Sequence, residues 1–270
     1  MIPKELSHYT KKEIALEEIL FKRQIKVGQL SFTNDPKESL PTSVGITFPS
    51  SYVIDEKTND VRNEIFREAN RIRQEEWKVL CLTRNLQKQR IKEENTTRNN
   101  SIDEGYRRPR MWAQYTDNHT GVCIIFNGKK LHKNIEMGLK EHCKIFCGPV
   151  KYKKIGTATM ININYSDIST LGLTDGIRKN FFENYEKYFL AKYNDWKNET
   201  EYRWLVHSTK NSPEYVSIEG TIKEILVGSA FPEVYESAIK ELCQGLNISV
   251  GKMMWLDGQP IPVFGSIHNP

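Results

Sequence analysis

The stretch DWKNETEYRWLVH, Asp195 to His207, decides how the rest of the chain is read. Tyr202, Trp204 and Val206 fall on one face of an extended segment, and Glu201, Arg203 and Leu205 on the other. The spacing predicts a β-strand that opens on two glutamates, Glu199 and Glu201, which point roughly the same way. Like charges so close cost free energy unless something positive lies between them. Arg203 fills that role, or a cationic ligand does.

Upstream, residues 174–196 read as one long, aromatic-rich helix running straight into the glutamates. Downstream come a turn at Ser212-Pro213, a strand pair around EYVSIEG and IKEILVG, and a helix over EVYESAIKELCQGL. SVGKMMWL and IPVFG close the sheet. Towards the N-terminus, LSHYT and QLSFT read as strands flanking an amphipathic helix, and KVLCLTR and HTGVCIIF as strongly apolar strands. Asn34, Asp35 and Pro36 form a turn that breaks the second strand. Strands and helices alternate irregularly, and several strands are short and half-polar. The pattern predicts a mixed, split β-sheet with peripheral helices, an α+β fold in a single domain over 1–270.

The composition is that of a globular chain: 270 residues, 38% hydrophobic and 27% charged, with a net charge of +5. No apolar run is long enough to span a membrane. MIPKELSHYT has no apolar signal region, which predicts a cytoplasmic location. No glycine-rich phosphate loop follows a strand. His142, Cys143 and Cys147 in EHCKIFC resemble half a metal site, but no second Cys/His pair stands at finger spacing, so no metal is expected. Residues 86–108 are polar and basic without periodicity and read as a mobile loop beside the site. With YRRPRMW, Arg107 to Trp112, they make the densest basic stretch, suited to a phosphate backbone or to plain solvation.

Four clusters carry candidate chemistry: His8-Tyr9-Thr10, Asn34-Asp35, Trp112/Tyr115/His119 and Glu199/Glu201/Arg203. Taken singly, each also reads as structure: a satisfied histidine, a turn, core aromatics, an ion pair. In order, they stand in the pattern HYT, F-x-N-D-P, VLCL-T, MW-x-x-Y-x-x-x-H-x-G-V-C-I-x-F and W-x-x-E-x-E-Y-R. This resembles a large bacterial family labelled only as a domain of unknown function. More distantly it is similar to ADP-ribosyltransferases that modify nucleic acids or proteins. Those begin with a strand carrying a His or Arg beside a small hydroxyl residue, and place a catalytic glutamate at the start of a late strand, often as E-x-E. Thr47 or Thr83 stands in for their Ser-Thr-Ser element.

The resemblance implies NAD as substrate, with Glu201 stabilising an oxocarbenium-like transition state and Glu199 facing the acceptor. It implies that His8 and Thr10 hold the adenosine ribose, that Tyr9 or Tyr115 stacks on nicotinamide, and that Arg84 or Arg110 neutralises the pyrophosphate. Arg107, Arg108, Arg110, Trp112 and His119 would meet a DNA or RNA acceptor, with Asn34, Asp35 and Arg203 in support. A toxin or phage-defence role with an antitoxin or other partner protein follows by analogy. Two alternatives stay open. One is an NAD glycohydrolase. The other is a non-catalytic module that binds nucleic acid or protein, its glutamates paired with Arg203 and Arg84.

Overall fold

The computed structural model describes residues 1–86, 104–154 and 160–265. The strands are β1 (Glu5–Thr10), β2 (Gln24–Gln29), β3 (Val44–Thr47), β4 (Trp77–Arg84), β5 (Val122–Asn127), β6 (Lys144–Pro149) and β7 (Lys151–Lys153). They continue as β8 (Ile161–Asn164), β9 (Ala191–Tyr193), β10 (Glu201–His207), β11 (Glu214–Ser217), β12 (Ile222–Val227), β13 (Ser249–Leu256) and β14 (Gln259–Phe264). The α-helices are α1 (Pro36–Ser39), α2 (Thr58–Arg71), α3 (Pro109–Tyr115), α4 (Gly128–Leu139), α5 (Tyr165–Leu171), α6 (Leu173–Glu183), α7 (Tyr185–Phe189) and α8 (Glu236–Gln244).

Among the described residues, ten strands form one sheet. Its path runs β11-β2-β4-β1-β5-β12-β13-β14, with β10 between β4 and β6. Every described pairing in it is antiparallel except β12 with β13, so the architecture is mixed α+β, as the pattern predicts. β4 holds the key to the site. Along one edge it pairs with β10 over its length, from Glu201↔Thr83 to His207↔Trp77. Its other edge is shared. β1 takes one end, at Leu6↔Arg84 and Ser7↔Thr83, and β2 takes the other, at Gly28↔Val79 and Gln29↔Lys78. Leu80, Cys81 and Leu82 lie between the two ladders, where β1 and β2 splay apart and the sheet splits.

Alternation along the strands feeds two cores. Leu80, Leu82, Tyr202, Trp204 and Val206 face one layer, covered by α4, α8 and the π-helical turn Ile14–Leu20. Trp77, Val79 and Leu205 face the other, with Ile65 and Ala69 of α2, Ile177 and Phe181 of α6, and Phe189 of α7. Trp77 stacks on Phe189 at 4.2 Å between ring centres. No helix among the described residues is long and apolar enough to cross a membrane.

Four expectations change. The strand read over QLSFT lies earlier, as β2, and Leu30–Phe32 is a 3-10 turn. The helix read over 174–196 is instead α6, α7, β9 and a 3-10 turn, Asn194–Glu199. Asn184 leaves the helical region at φ −116°, and the apolar run after it pairs β9 with β7 in parallel. The strands around EYVSIEG and IKEILVG do not pair with each other: β11 joins β2, and β12 sits between β5 and β13. The basic loop expected over 86–108 lies largely outside the described residues, which resume at Glu104.

Candidate functional site

A cleft of about 610 Å³ occupies the split between β1 and β2. That volume is in the range of small-molecule sites, ~300–1,000 Å³. Ser7, Thr83 and Glu201 share one register line across β1, β4 and β10, so their side chains share a face. His8, one residue on, projects from the opposite face. The cleft is lined from both: by Ser7, Cys81, Thr83, Glu199, Glu201 and Arg203 on one side, and by His8, Ile19, Ile25, Leu80 and Leu82 on the other.

Five charged side chains line the inner wall in alternating order. Glu38 accepts from Arg203 Nη1 at 2.5 Å. Arg203 reaches Glu201 Oε2 through Nη2 at 2.8 Å and through Nε at 3.0 Å. Lys192 Nζ lies 3.3 Å from the same Oε2 and 3.0 Å from Glu199 Oε2. The chain ends where the Tyr115 hydroxyl donates to Glu199 Oε1 at 2.5 Å. The positive groups that reconcile the two glutamates are therefore Lys192 and Arg203, both enclosed, Arg203 completely so (0% exposed).

The two carboxylates differ in what they leave open. Both oxygens of Glu199 are engaged. All cationic contacts of Glu201 fall on Oε2, and no described residue hydrogen-bonds Oε1. The Glu201 amide is fixed separately, donating to the Tyr152 hydroxyl at 2.9 Å. Burial, together with the neighbouring Glu201 charge, raises the pKa of Glu199 although Lys192 pulls it down. Burial also disfavours the Lys192 ammonium, but the carboxylates of Glu201 and Glu38 outweigh it and hold the charge. The same opposition, decided by Arg203 and Lys192, keeps Glu38 below its ordinary value.

The glutamates converge through a backbone kink, not through simple strand alternation. Thr200 between them is left-handed, φ 45° and ψ 45°. A β-branched residue there costs ~1–3 kcal/mol. Its hydroxyl donates to the Arg84 carbonyl at 3.0 Å, and the Arg84 amide donates to the Thr200 carbonyl at 3.1 Å. These bonds pin the kink to the end of β4. On the far side of the cleft, burial lowers the His8 pKa to about 4, against a hydrogen bond to the Cys81 backbone that raises it. The imidazole is neutral at physiological pH.

Of the residues singled out in the sequence, His8, Tyr9, Asn34, Thr83, Tyr115, Glu199, Glu201 and Arg203 line this cleft. The others stand elsewhere. Thr10 ends β1, buried, outside the lining. Asp35 caps α1 by accepting from the Lys37 amide at 3.0 Å. Arg84 ends β4, and Arg110 is exposed on α3, donating to the Asp195 carbonyl at 3.0 Å. Neither Arg84 nor Arg110 is part of the cleft lining. Arg107 pairs with Glu104 at 2.8 Å and Arg108 packs beside Tyr9. Trp112 is wholly enclosed and donates to the Tyr106 carbonyl, so it has no face for a base to stack on. His119 completes a left-handed run with Asp117 and Asn118, and its carbonyl packs where a Cβ on Gly228 would come within 1.9 Å. Its place in the H-x-G spacing is structural.

Glu38, Lys192, Cys81 and Tyr152 were not singled out. Glu38 sits in a stretch that reads as a strand breaker, and Lys192 in the apolar run FLAKY that reads as helix. Only the uncompensated charge of the E-x-E itself signalled that a buried cation was owed. A family model described as a protein of unknown function (DUF2971) matches residues 111–204. The matched span takes in Tyr115, Lys192, Glu199, Glu201 and Arg203, and leaves His8 and Glu38 outside it. No curated protein matches the chain, and no solved structure matches it.

Proposed function

We propose that the cleft cleaves the C1′–N glycosidic bond of NAD and transfers the ADP-ribosyl group to a nucleic-acid acceptor. The observation that carries this reading is the Glu201 carboxylate, which lines the cleft with Oε2 anchored by two cations and no hydrogen bond from a described residue on Oε1. A fixed carboxylate of this kind stabilises positive charge that develops only in the transition state. As the C1′–N bond breaks, its electron pair leaves with neutral nicotinamide and the ribose becomes cationic. In this reading Oε1 of Glu201 meets that charge and accepts from a ribose hydroxyl. Neutral His8 offers a hydrogen bond from the opposite wall, and the exposed Lys26 on the lining faces the pyrophosphate in place of Arg84 and Arg110. The acceptor then bonds to C1′ and gives up its proton to solvent water. The basic stretch over 86–108 supports nucleic acid as that acceptor.

One observation favours hydrolysis as a second reading. Glu199 has both oxygens engaged, so it positions Lys192 instead of taking a proton from a bulky acceptor. Water needs less assistance and less room. A single assay separates these readings: purified protein with labelled NAD, with and without DNA or RNA, followed for free nicotinamide and for label on polymer. Label on polymer supports transfer, and nicotinamide alone supports hydrolysis. Glu201→Gln is expected to fold, since Arg203 keeps Glu38 and Lys192 keeps Glu199, and to lose at least ~100-fold in rate. No turnover by the wild type, or an unchanged rate in this variant, leaves the carboxylates as a structural network in a binding module.

A further inference from the structure

We propose that His142, Cys143 and Glu214 form a zinc-class metal site where the turn after α4 meets the first residue of β11. The sequence offers only adjacent His and Cys, which is half a site. The fold supplies the third donor from 71 residues further along the chain. α4 ends in a turn in which the amides of His142 and Cys143 both donate to the Leu139 carbonyl, at 3.2 and 2.9 Å. This tight wrap turns both side chains towards the first residue of β11. His142 Nε2 lies 3.5 Å from Glu214 Oε2, and Cys143 Sγ lies 3.8 Å from Glu214 Oε1. The donor atoms of the three residues all lie within 4.8 Å of one another.

Tetrahedral zinc with bonds of ~2.0–2.3 Å holds its ligand atoms ~3.3–3.7 Å apart. The His142 and Cys143 contacts, on different oxygens of Glu214 at 3.5 and 3.8 Å, stand close to that range, and side-chain rotation brings one donor from each residue onto a shared ion. The donor set of imidazole, thiolate and carboxylate suits zinc or cobalt. Glu214 is 7% exposed and its Oε1 is oriented by the Ser208 hydroxyl at 2.7 Å. That is the outer support a metal-bound carboxylate requires. His142 faces solvent, which leaves the fourth position to water. The site ties the edge strand β11 to the turn between α4 and β6. Lys78 and Lys210 bring positive charge to Glu214. Lys78 is held by the carbonyls of Ser208 and Lys210, at 3.0 and 2.9 Å. These charges weaken a dication without blocking it.

The test is titration of metal-free full-length protein with cobalt(II) chloride, read by absorption, with zinc chloride as competitor. One equivalent of cobalt is expected to give a thiolate-to-cobalt charge-transfer band and tetrahedral ligand-field bands, both bleached by zinc. Cys143→Ser is expected to lose the charge-transfer band. Glu214→Gln is expected to weaken binding at least ~10-fold, and Ser208→Ala ~10–100-fold through lost orientation. Lys210→Gln, an exposed change that leaves the donors intact, is expected to tighten binding severalfold. Melting of each metal-free variant confirms that it folds. Absence of the charge-transfer band in folded wild type, or its persistence in Cys143→Ser, overturns the site.

Discussion

A buried glutamate stands at each end of β10: Glu201 opens the strand, and Glu76, the residue before β4, meets its last residue, His207. The two ends of the strand hold them in opposite ways. At its end, Glu76 receives His207 Nε2 at 2.8 Å, Arg71 Nη2 at 2.9 Å and a two-pronged Arg178 at 2.9 and 3.0 Å. The donors come from α2, α6 and β10, so the carboxylate fastens two helices to the sheet. At its start, Glu201 shares two cations with Glu38 and Glu199, lines a cleft, and follows a left-handed threonine. Burial pushes Glu76 up, but its hydrogen bonds outweigh burial and hold it well below the ordinary carboxylate value. Glu199 is held above that value. One end spends its charges on stability. The other gathers three carboxylates around two cations beside a cavity, the arrangement on which the proposed function rests.

The largest expected effect breaks the cleft end. Arg203→Met removes a fully enclosed cation and strands Glu38 and Glu201. Denaturant unfolding should show a loss of ~3–5 kcal/mol. A loss below ~1 kcal/mol would mean that water reaches the cluster and that the contrast between the ends is overstated. Glu76→Gln should cost less at neutral pH, ~2–3 kcal/mol, because Arg71 and Arg178 keep access to solvent. Its pH dependence sharpens the comparison. The Glu76 pKa is depressed in the folded state, so its contribution is complete above the ordinary value of 4.5 and is lost as pH falls beneath it. The stability gap between wild type and Glu76→Gln should shrink in that acid range. Glu199 runs the other way. Its folded pKa is raised, so the wild type should lose stability relative to Glu199→Gln as pH climbs above 4.5. Parallel pH profiles for the two variants would erase the distinction.

What the sequence showed of this site follows from the range of each signal. The alternation in EYRWLVH is local, and it placed Glu201 and Arg203 on one face correctly. The apolar strands KVLCLTR and GVCIIF were legible for the same reason. Lys192 was not, because its role depends on β9 pairing with β7, a contact across 40 residues that no local period encodes. Glu38 reaches Arg203 from 165 residues away. The conspicuous Trp112 and His119 misled in the opposite direction. Trp112 lies in a packed core and His119 in a left-handed turn, and from that block Met111 and Tyr115 reach the cleft. The third donor beside His142 and Cys143 escaped notice because a search for paired Cys and His passes over a carboxylate on another strand.

The smallest expected effect concerns Thr200, and it bears on why the cleft end tolerates strain. Thr200→Gly removes the left-handed penalty but also removes the hydroxyl bond to Arg84 and adds freedom to the unfolded chain, each worth ~1 kcal/mol. These nearly cancel, so stability should change by less than ~1 kcal/mol. Thr200→Val keeps the β-branching and the strain while deleting the bond, and should lose ~1–2 kcal/mol. If the kink exists to aim Glu201, both variants should lower turnover of NAD more than they lower stability, because each loosens the pin that sets the carboxylate. If Thr200→Val is as stable and as active as the wild type, the kink is a passive consequence of joining a 3-10 turn to a strand, and the strain at this end of β10 serves no site.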